Sequence, residues 1–323
     1  MRLFADAKYD FLSKRRFAFV LLGAFIIPGL IIAVFRGVNY SVEFTGGTLV
    51  QIKTVAPVEV GVLRQRLEEF GVTGAEIQSI GSNREFNIRA RVAAAGTDAD
   101  DTGATGAAVA RALDAAVGAG QYTIELTEAV GPKVGGELRQ KAVLAILLSF
   151  VAVLLYLWYR FEWRFGAAAV LATAHDILAI IAFIGAFRIE VSLFVVAALL
   201  STVGYSLNDT IVIFDRVREN LRKSKREDFI QILNRSINET LPRTILTGGT
   251  SLGALIALTV FGGAVVRPFA VIMTFGILVG TYSSIFIASP LLLWIERRWP
   301  GADIRGVKGT AKKQRAGKPQ PVA

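Results

Sequence analysis

Long apolar runs and mixed segments alternate in blocks along this chain. Six runs, Phe17–Phe35, Ala142–Tyr159, Phe165–Phe187, Val191–Phe214, Thr244–Phe261 and Phe269–Trp294, each hold 18 residues or more, the length a bilayer-crossing helix needs. Between the first and second runs, residues 36–141 show turns, alternation and balanced charge instead. Val38–Phe44 and Thr48–Lys53 read as strands parted by Thr45-Gly46-Gly47, and Pro57–Phe70 as a helix with Val62, Leu63, Leu67 and Phe70 on one side. Glu76–Ile80 and Glu85–Val92 alternate as a hairpin across Gly81-Ser82-Asn83. A Gly, Ala, Thr and Asp-rich connector, Ala93–Gly106, leads to a helix with Val109, Leu113 and Val117, then to a strand at Tyr122–Thr127. The order βαββαβ describes a ferredoxin-like sandwich.

The expected fold class is therefore a polytopic α-helical membrane protein with six transmembrane helices and one α+β domain. Its parts are residues 1–35 (N-terminus and first span), 36–141 (the α+β domain with a short linker helix opening at Gly131-Pro132-Lys133), 142–300 (spans two to six with a loop at 215–243) and a basic, disordered tail at 301–323. The first run is too long for a secretory signal and no small-x-small site follows it, so it reads as an uncleaved span. Phe229, Ile232, Leu233 and Ile237 recur at helical spacing in Arg222–Asn238, which reads as an amphipathic helix on the membrane surface.

Composition supports the membrane reading, with 53% hydrophobic and 19% charged residues. The net charge of +10 does not point to nucleic acid, because its excess flanks the apolar runs. Lys and Arg number 5 before the first run, 2 between the second and third, 8 in Asp215–Arg243 and 8 after Trp294, while the two opposite short loops hold only Arg188 and Arg267. By the positive-inside rule both termini are cytoplasmic, and the 36–141 domain, with 13 acidic and 11 basic residues, lies outside, in a periplasm. The tail suits anionic lipid headgroups. Without cysteine and with a single histidine, thiol chemistry, disulfides and Cys- or His-rich metal sites are excluded, and no cofactor is expected.

The polar residues inside spans carry the candidate chemistry. In the fourth span Ser201, Tyr205 and Asn208 recur at helical spacing, with Thr202, Ser206 and Asp209 in the adjoining row. Lipid cannot satisfy such a stripe, so it faces protein or water. Asp209 sits about 10 Å to the cytoplasmic side of the span's centre, where Arg243 could reach it from the start of the fifth span. The pair is either a structural tie or a switchable carboxylate that carries protons. His175 and Asp176 sit mid-way along the third span. Neighbours on a helix diverge by about 100°, so the two do not address one spot; an interior role is favoured for His175, while relay and interior roles stand open for Asp176. A Ser-His-Asp hydrolase has no support in the spacing, so the chain is not read as an enzyme. The pairs Gly249/Gly253 and Gly276/Gly280 are small-xxx-small motifs expected to bring the fifth span against the fourth.

Five stretches together carry a resemblance: VNYSVEFTGG after the first span, AVGPKVGGELRQKA before the second, the HD pair, STVGYSLNDTIVIFDRVREN, and NETLPRTILTGGTSLGAL. In this order on a six-span frame they resemble the SecF family, membrane subunits of the SecD-SecF accessory of the bacterial Sec translocase. The resemblance covers nearly the whole chain. It implies half of a resistance-nodulation-division frame in the bacterial inner membrane, with SecD supplying the other half, the SecYEG channel and YajC as further partners, and an unfolded preprotein as substrate. It also implies that the proton-motive force helps to pull preproteins outward, with Asp209 as the proton-carrying acid and Arg243 as its partner; Asn208, Asp176, His175 and Tyr205 are supporting or relay candidates. Gly248-Gly249 and the expanded 93–106 connector depart mildly from the family pattern. Two rival readings are a self-contained proton-driven exporter of a small amphiphile and a non-transporting scaffold or sensor.

Overall fold

The computed structural model describes residues 7–72, 75–80, 83–90, 102–224 and 227–300. In chain order they form α1 (Arg15–Arg36), α2 (Val42–Thr45), β1 (Gly47–Thr54), α3 (Val60–Glu69), β2 (Glu76–Ser79), β3 (Glu85–Ala90), α4 (Thr102–Val117), β4 (Tyr122–Val130), α5 (Pro132–Arg160), α6 (Trp163–Phe187), α7 (Leu193–Lys223), α8 (Phe229–Phe261), α9 (Gly263–Ser283) and, after a π-helical turn at Ser284–Ala288, α10 (Ser289–Arg298). The hairpin tip at Gly81-Ser82, most of the 93–106 connector and the basic tail fall outside the described residues. Six segments are long and apolar enough to cross a membrane: Leu12–Arg36, Lys133–Arg160, Trp163–Phe187, Leu193–Lys223, Phe229–Phe261 and Val265–Arg298. The expected linker helix and second span are one continuous helix, α5.

The chain divides into two compact units, one of residues 38–148 and 190–196, the other of 1–37, 149–189 and 197–323. In the first, four antiparallel strands pair in the order β2-β3-β1-β4, the ferredoxin-like arrangement. Val50 and Ile52 of β1 and Phe86 and Ile88 of β3 face the same way, and Leu63, Leu67, Val109 and Leu113 of the two helices close over them. That apolar layer is what alternation on strands and 3.6-residue spacing on helices are built to bury.

Val38–Phe44 departs from the expectation. It is not a strand of this sheet, because β3 and β4 already occupy both edges of β1. Tyr40 makes only a lone parallel bridge to Val191, and residues 42–45 turn into α2. Two left-handed glycines, Gly46 (φ 75°) and Gly47 (φ 127°), then swing the chain into β1, and a Cβ on Gly47 would come within 3.0 Å of the Ala90 carbonyl. Only glycine meets both demands.

In the membrane unit α1 packs on α6 through Gly29 and Gly185. A Cβ on Gly29 would meet Ala182 at 2.7 Å, and one on Gly185 would meet Ala33 at 2.5 Å. The glycine pairs named from spacing divide differently from expectation. Gly276 and Gly280 seat α9 against Thr202 and Ser206 of α7, while Gly249 and Gly253 have nothing within 4 Å of a built Cβ. The sixth span, rather than the fifth, therefore makes the close glycine approach to the fourth.

The 222–238 stretch also differs. Its apolar row Ile232, Leu233 and Ile237 is fully buried with Leu12, Phe214, Val217 and Leu221, and it continues into the fifth span as one helix with Pro242 inside. Both a membrane surface and a protein core reward such a row, and the extension of α7 offers the core: Asn220 Nδ2 donates to Ser236 Oγ (3.0 Å) and Glu239 (2.8 Å), and Arg216 pairs with Glu239 at 2.6 Å. The polar face of α7's extension is charge-paired through Arg160–Asp215 and Lys223–Glu219.

Two predictions follow from these contacts. Gly185→Leu overpacks the α1–α6 crossing and should lower stability by about 1–3 kcal/mol, read as the thermal midpoint of the purified chain, whereas Gly249→Leu should leave it within error. In the α+β unit, burial first and then the nearby Glu43 and Glu190 hold the Glu128 carboxyl above its ordinary range. The folded state thus keeps that proton more tightly than the unfolded chain, and stability is lost as pH rises from the ordinary glutamate range through the folded value. Glu128→Gln should flatten that fall and raise the neutral-pH midpoint, by about 1 kcal/mol or less for a half-exposed group; an unchanged pH profile contradicts it.

Candidate functional site

The site is organised on α7. Its sequence alternates small, hydroxyl and apolar residues, so successive turns present different faces, and the structure selects one row. Thr202, Ser206, Asp209 and Thr210 are buried, whereas Ser201, Gly204 and Asn208 lie on an exposed face and Tyr205 between the two. Asn208 is thus separated from Asp209, its neighbour in sequence. Each buried member meets the sixth span or α6. Thr202 and Ser206 receive the flat face at Gly276 and Gly280, and Thr210 Oγ1 contacts Ser284 Oγ at 3.0 Å, where the π-helical turn begins. A π turn adds a residue to the helical repeat and so redirects side chains.

Asp209 is 2% exposed, and its Oδ2 has no hydrogen-bond partner. Arg243 of α8 acts on it electrostatically, and the Thr281 hydroxyl lies on its side-chain path. Arg243 itself is on an exposed face one residue past Pro242, and the two do not close into a two-point ion pair. The hydroxyls of Thr281 and Tyr205 are likewise buried without partners, and a Cβ on Gly248 would meet Thr281 Oγ1 at 3.7 Å and Tyr205 OH at 3.9 Å. An unsatisfied buried polar group costs about 1–3 kcal/mol, so these hydroxyls favour a polar partner or water over lipid.

A second acid sits on α6. Asp176 is buried, accepts from Ser206 Oγ at 2.5 Å and lies 3.0 Å from His175 Nδ1. The two α6 neighbours therefore do meet side chain to side chain, although their Cα–Cβ directions diverge by about 100°. Ser206 is three residues from Asp209, so both acids address one face of α7, one turn apart. Among the described residues no three acidic or histidine side chains converge as metal ligands would.

Spacing named Asp209, Arg243, Tyr205, Asp176 and His175. The structure gathers Asp209, Tyr205 and Arg243's charge in one region and joins His175, Asp176 and Ser206 in another; Asn208 stands apart. Thr281, Ser283 and Ser284 went unnamed. Their signal is the run Gly280-Thr281-Tyr282-Ser283-Ser284 in a span otherwise apolar.

These features define a six-span helical membrane protein of the resistance-nodulation-division type, with an acid-bearing central helix and an α+β domain. Two family models match, "Protein export membrane protein SecD/SecF, C-terminal" over residues 110–298 and "SecD/SecF GG Motif" over residues 31–58. The chain is 54% identical over 321 residues to the protein translocase subunit SecF of Gemmatimonas aurantiaca, covering 98% of this chain and 95% of that one. With the SecF of Escherichia coli O157:H7 it shares 37% over 285 residues, covering 88% and 87%. The crystal structure of SecDF, a translocon-associated membrane protein from Thermus thermophilus, superposes with a TM-score of 0.81 at 36% identity, covering 91% of this chain and 39% of that chain. This chain belongs to the SecD/SecF family of protein-export membrane proteins. It spans about two-fifths of the Thermus SecDF chain.

Ser206→Ala should lower stability by about 1–3 kcal/mol by leaving Asp176 Oδ2 unpaired, measured as the denaturation midpoint in detergent; an unchanged midpoint contradicts the tie between α6 and α7.

Proposed function

We propose that this chain is the SecF-type half of a proton-driven accessory to the Sec translocase, working with a SecD-type half to draw preproteins outward late in export. Its place is the bacterial inner membrane, with both termini cytoplasmic and the α+β domain periplasmic, a reading that the Lys and Arg distribution supports. It is a transport subunit rather than an enzyme and needs no cofactor, since the proton gradient supplies the work. SecYEG, YajC and anionic lipid are its further partners.

The observation that carries this reading is the buried, incompletely satisfied carboxylate of Asp209 beside the charge of Arg243, in a chain whose relatives are named translocase subunits. A carboxylate held away from water and lipid has two low-energy conditions: ionised with a cation close by, or neutral. A proton arriving from the periplasmic side cancels the attraction between α7 and Arg243. The unpartnered hydroxyls of Tyr205 and Thr281 offer it a route, while Asp176, His175 and Ser206 hold α6 and α7 in register. Release to the cytoplasm restores the attraction. Each charge crossing the field contributes about 2.3 kcal/mol per 100 mV, so a few protons per cycle suffice to bias a domain movement.

Asp209→Asn at normal membrane abundance should accumulate unprocessed precursor in cells that have no other copy, and Arg243→Met should do the same. Export within twofold of wild type from Asp209→Asn would favour a scaffold.

A further inference from the structure

If α7 moves when Asp209 changes charge, something must carry that movement to the periplasmic domain. α7 begins at Leu193, sixteen residues and about 24 Å before Asp209. Its opening residues, with Glu190–Ser192 before them, belong to the α+β unit, while the remainder belongs to the membrane unit. A continuous helix therefore begins among residues of the α+β unit, and the contacts that hold its first turn lie within that unit.

That end is strapped. The Leu193 N–H, one of the first amides of the helix and without an intrahelical acceptor, donates to Glu43 Oε2 at 2.5 Å. Ser41 Oγ donates to the same oxygen at 3.2 Å. Ser41 N–H donates to the Val191 carbonyl (2.9 Å), and Val191 N–H to the Asn39 carbonyl (2.7 Å). Arg89 of β3 ties the sheet to the same place, pairing with Glu190 at 2.6 Å and donating to Asn39 Oδ1 at 3.3 Å. Behind Glu43, α5 is in close contact: a Cβ on Gly135 would meet Gly46 N at 3.0 Å and the Glu43 carbonyl at 3.3 Å. Glu43 is buried and lies in α2, outside the strands of the sheet. Its carboxylate is spent on the amide that starts the helix, where negative charge is favoured. A glutamate in the one-turn helix before Gly46-Gly47 is thereby placed on the end of another span.

We propose that Glu43 is the coupling residue of this half: by capping α7 it fixes the periplasmic end of the Asp209 helix to the β-sheet as a joint that stays closed throughout the cycle. α5 likewise runs unbroken from just after β4 into the second span. This inference rests on the proton-driven reading.

The test uses the full chain with its SecD-type partner, reading precursor accumulation in cells and proton flux in vesicles. Glu43→Ala should reduce export at least fivefold while retaining proton flux that Asp209→Asn abolishes. Leu193→Pro, which deletes the donor at a position where proline suits a helix start, should give the same split if Glu43→Ala is poorly accumulated. The chain has no cysteine, so Tyr40→Cys with Val191→Cys, at the bridged pair and within disulfide reach, supplies a covalent strap. In the Glu43→Ala background the oxidised pair should restore export to within twofold of wild type, and reductant should remove the rescue. Wild-type export from Glu43→Ala and Leu193→Pro overturns the proposal, as does a cross-linked variant that remains as defective as Glu43→Ala, or a cross-link that blocks export when Glu43 is intact. Wild-type export from Asp209→Asn would instead overturn the proton reading, and the rescue experiment would still report on the strap.

Discussion

A carboxylate inside a membrane-spanning helix must be satisfied by protein, water or a proton, since hydrocarbon offers nothing. Much of the membrane unit follows from that constraint at Asp209. α9 comes flat against α7 because Gly276 and Gly280 leave room for Thr202 and Ser206, which excludes lipid from the acid. The π turn at Ser284–Ala288 brings Ser284 to Thr210. Asp176 of α6 accepts from Ser206. The neighbours of α7 pack closely on it or hydrogen-bond to it, yet Asp209 Oδ2 is left without a hydrogen-bond partner.

The apolar runs made the six spans legible, because bilayer thickness leaves little freedom in length or composition. Alternation and turn residues likewise announced the sandwich. Three features were not legible, each for a physical reason. Val38–Phe44 alternates as a strand does, but whether a strand pairs depends on a free edge, and β1 has none left. Ile232, Leu233 and Ile237 form a row that suits lipid and protein equally; only the partner helix decides. Small-xxx-small pairs mark a capacity for close approach, and Gly249 and Gly253 leave theirs unused in this unit.

Within the site, Asp209 stood out because an acid in an apolar run is costly, and Arg243 because a cation at matching depth is its natural complement. The hydroxyls of Thr281, Ser283 and Ser284 did not, since Ser and Thr are common in spans, where they can bond to the preceding turn as Ser284 does to the Gly280 carbonyl. Glu43 was read as part of a strand, so its reach to Leu193 could not be foreseen. The SecD/SecF relationship gives these contacts their context: the helix that carries the buried acid begins among residues of the α+β unit.

The central claim is that Asp209 changes protonation during turnover. Infrared difference spectroscopy of the reconstituted complex, comparing acidic and neutral periplasmic-side pH, tests it most directly. The account predicts a carboxylic-acid C=O band that appears on acidification, is lost in Asp209→Asn and is altered in Arg243→Met. A spectrum in which no such band belongs to Asp209, with export intact, would contradict it.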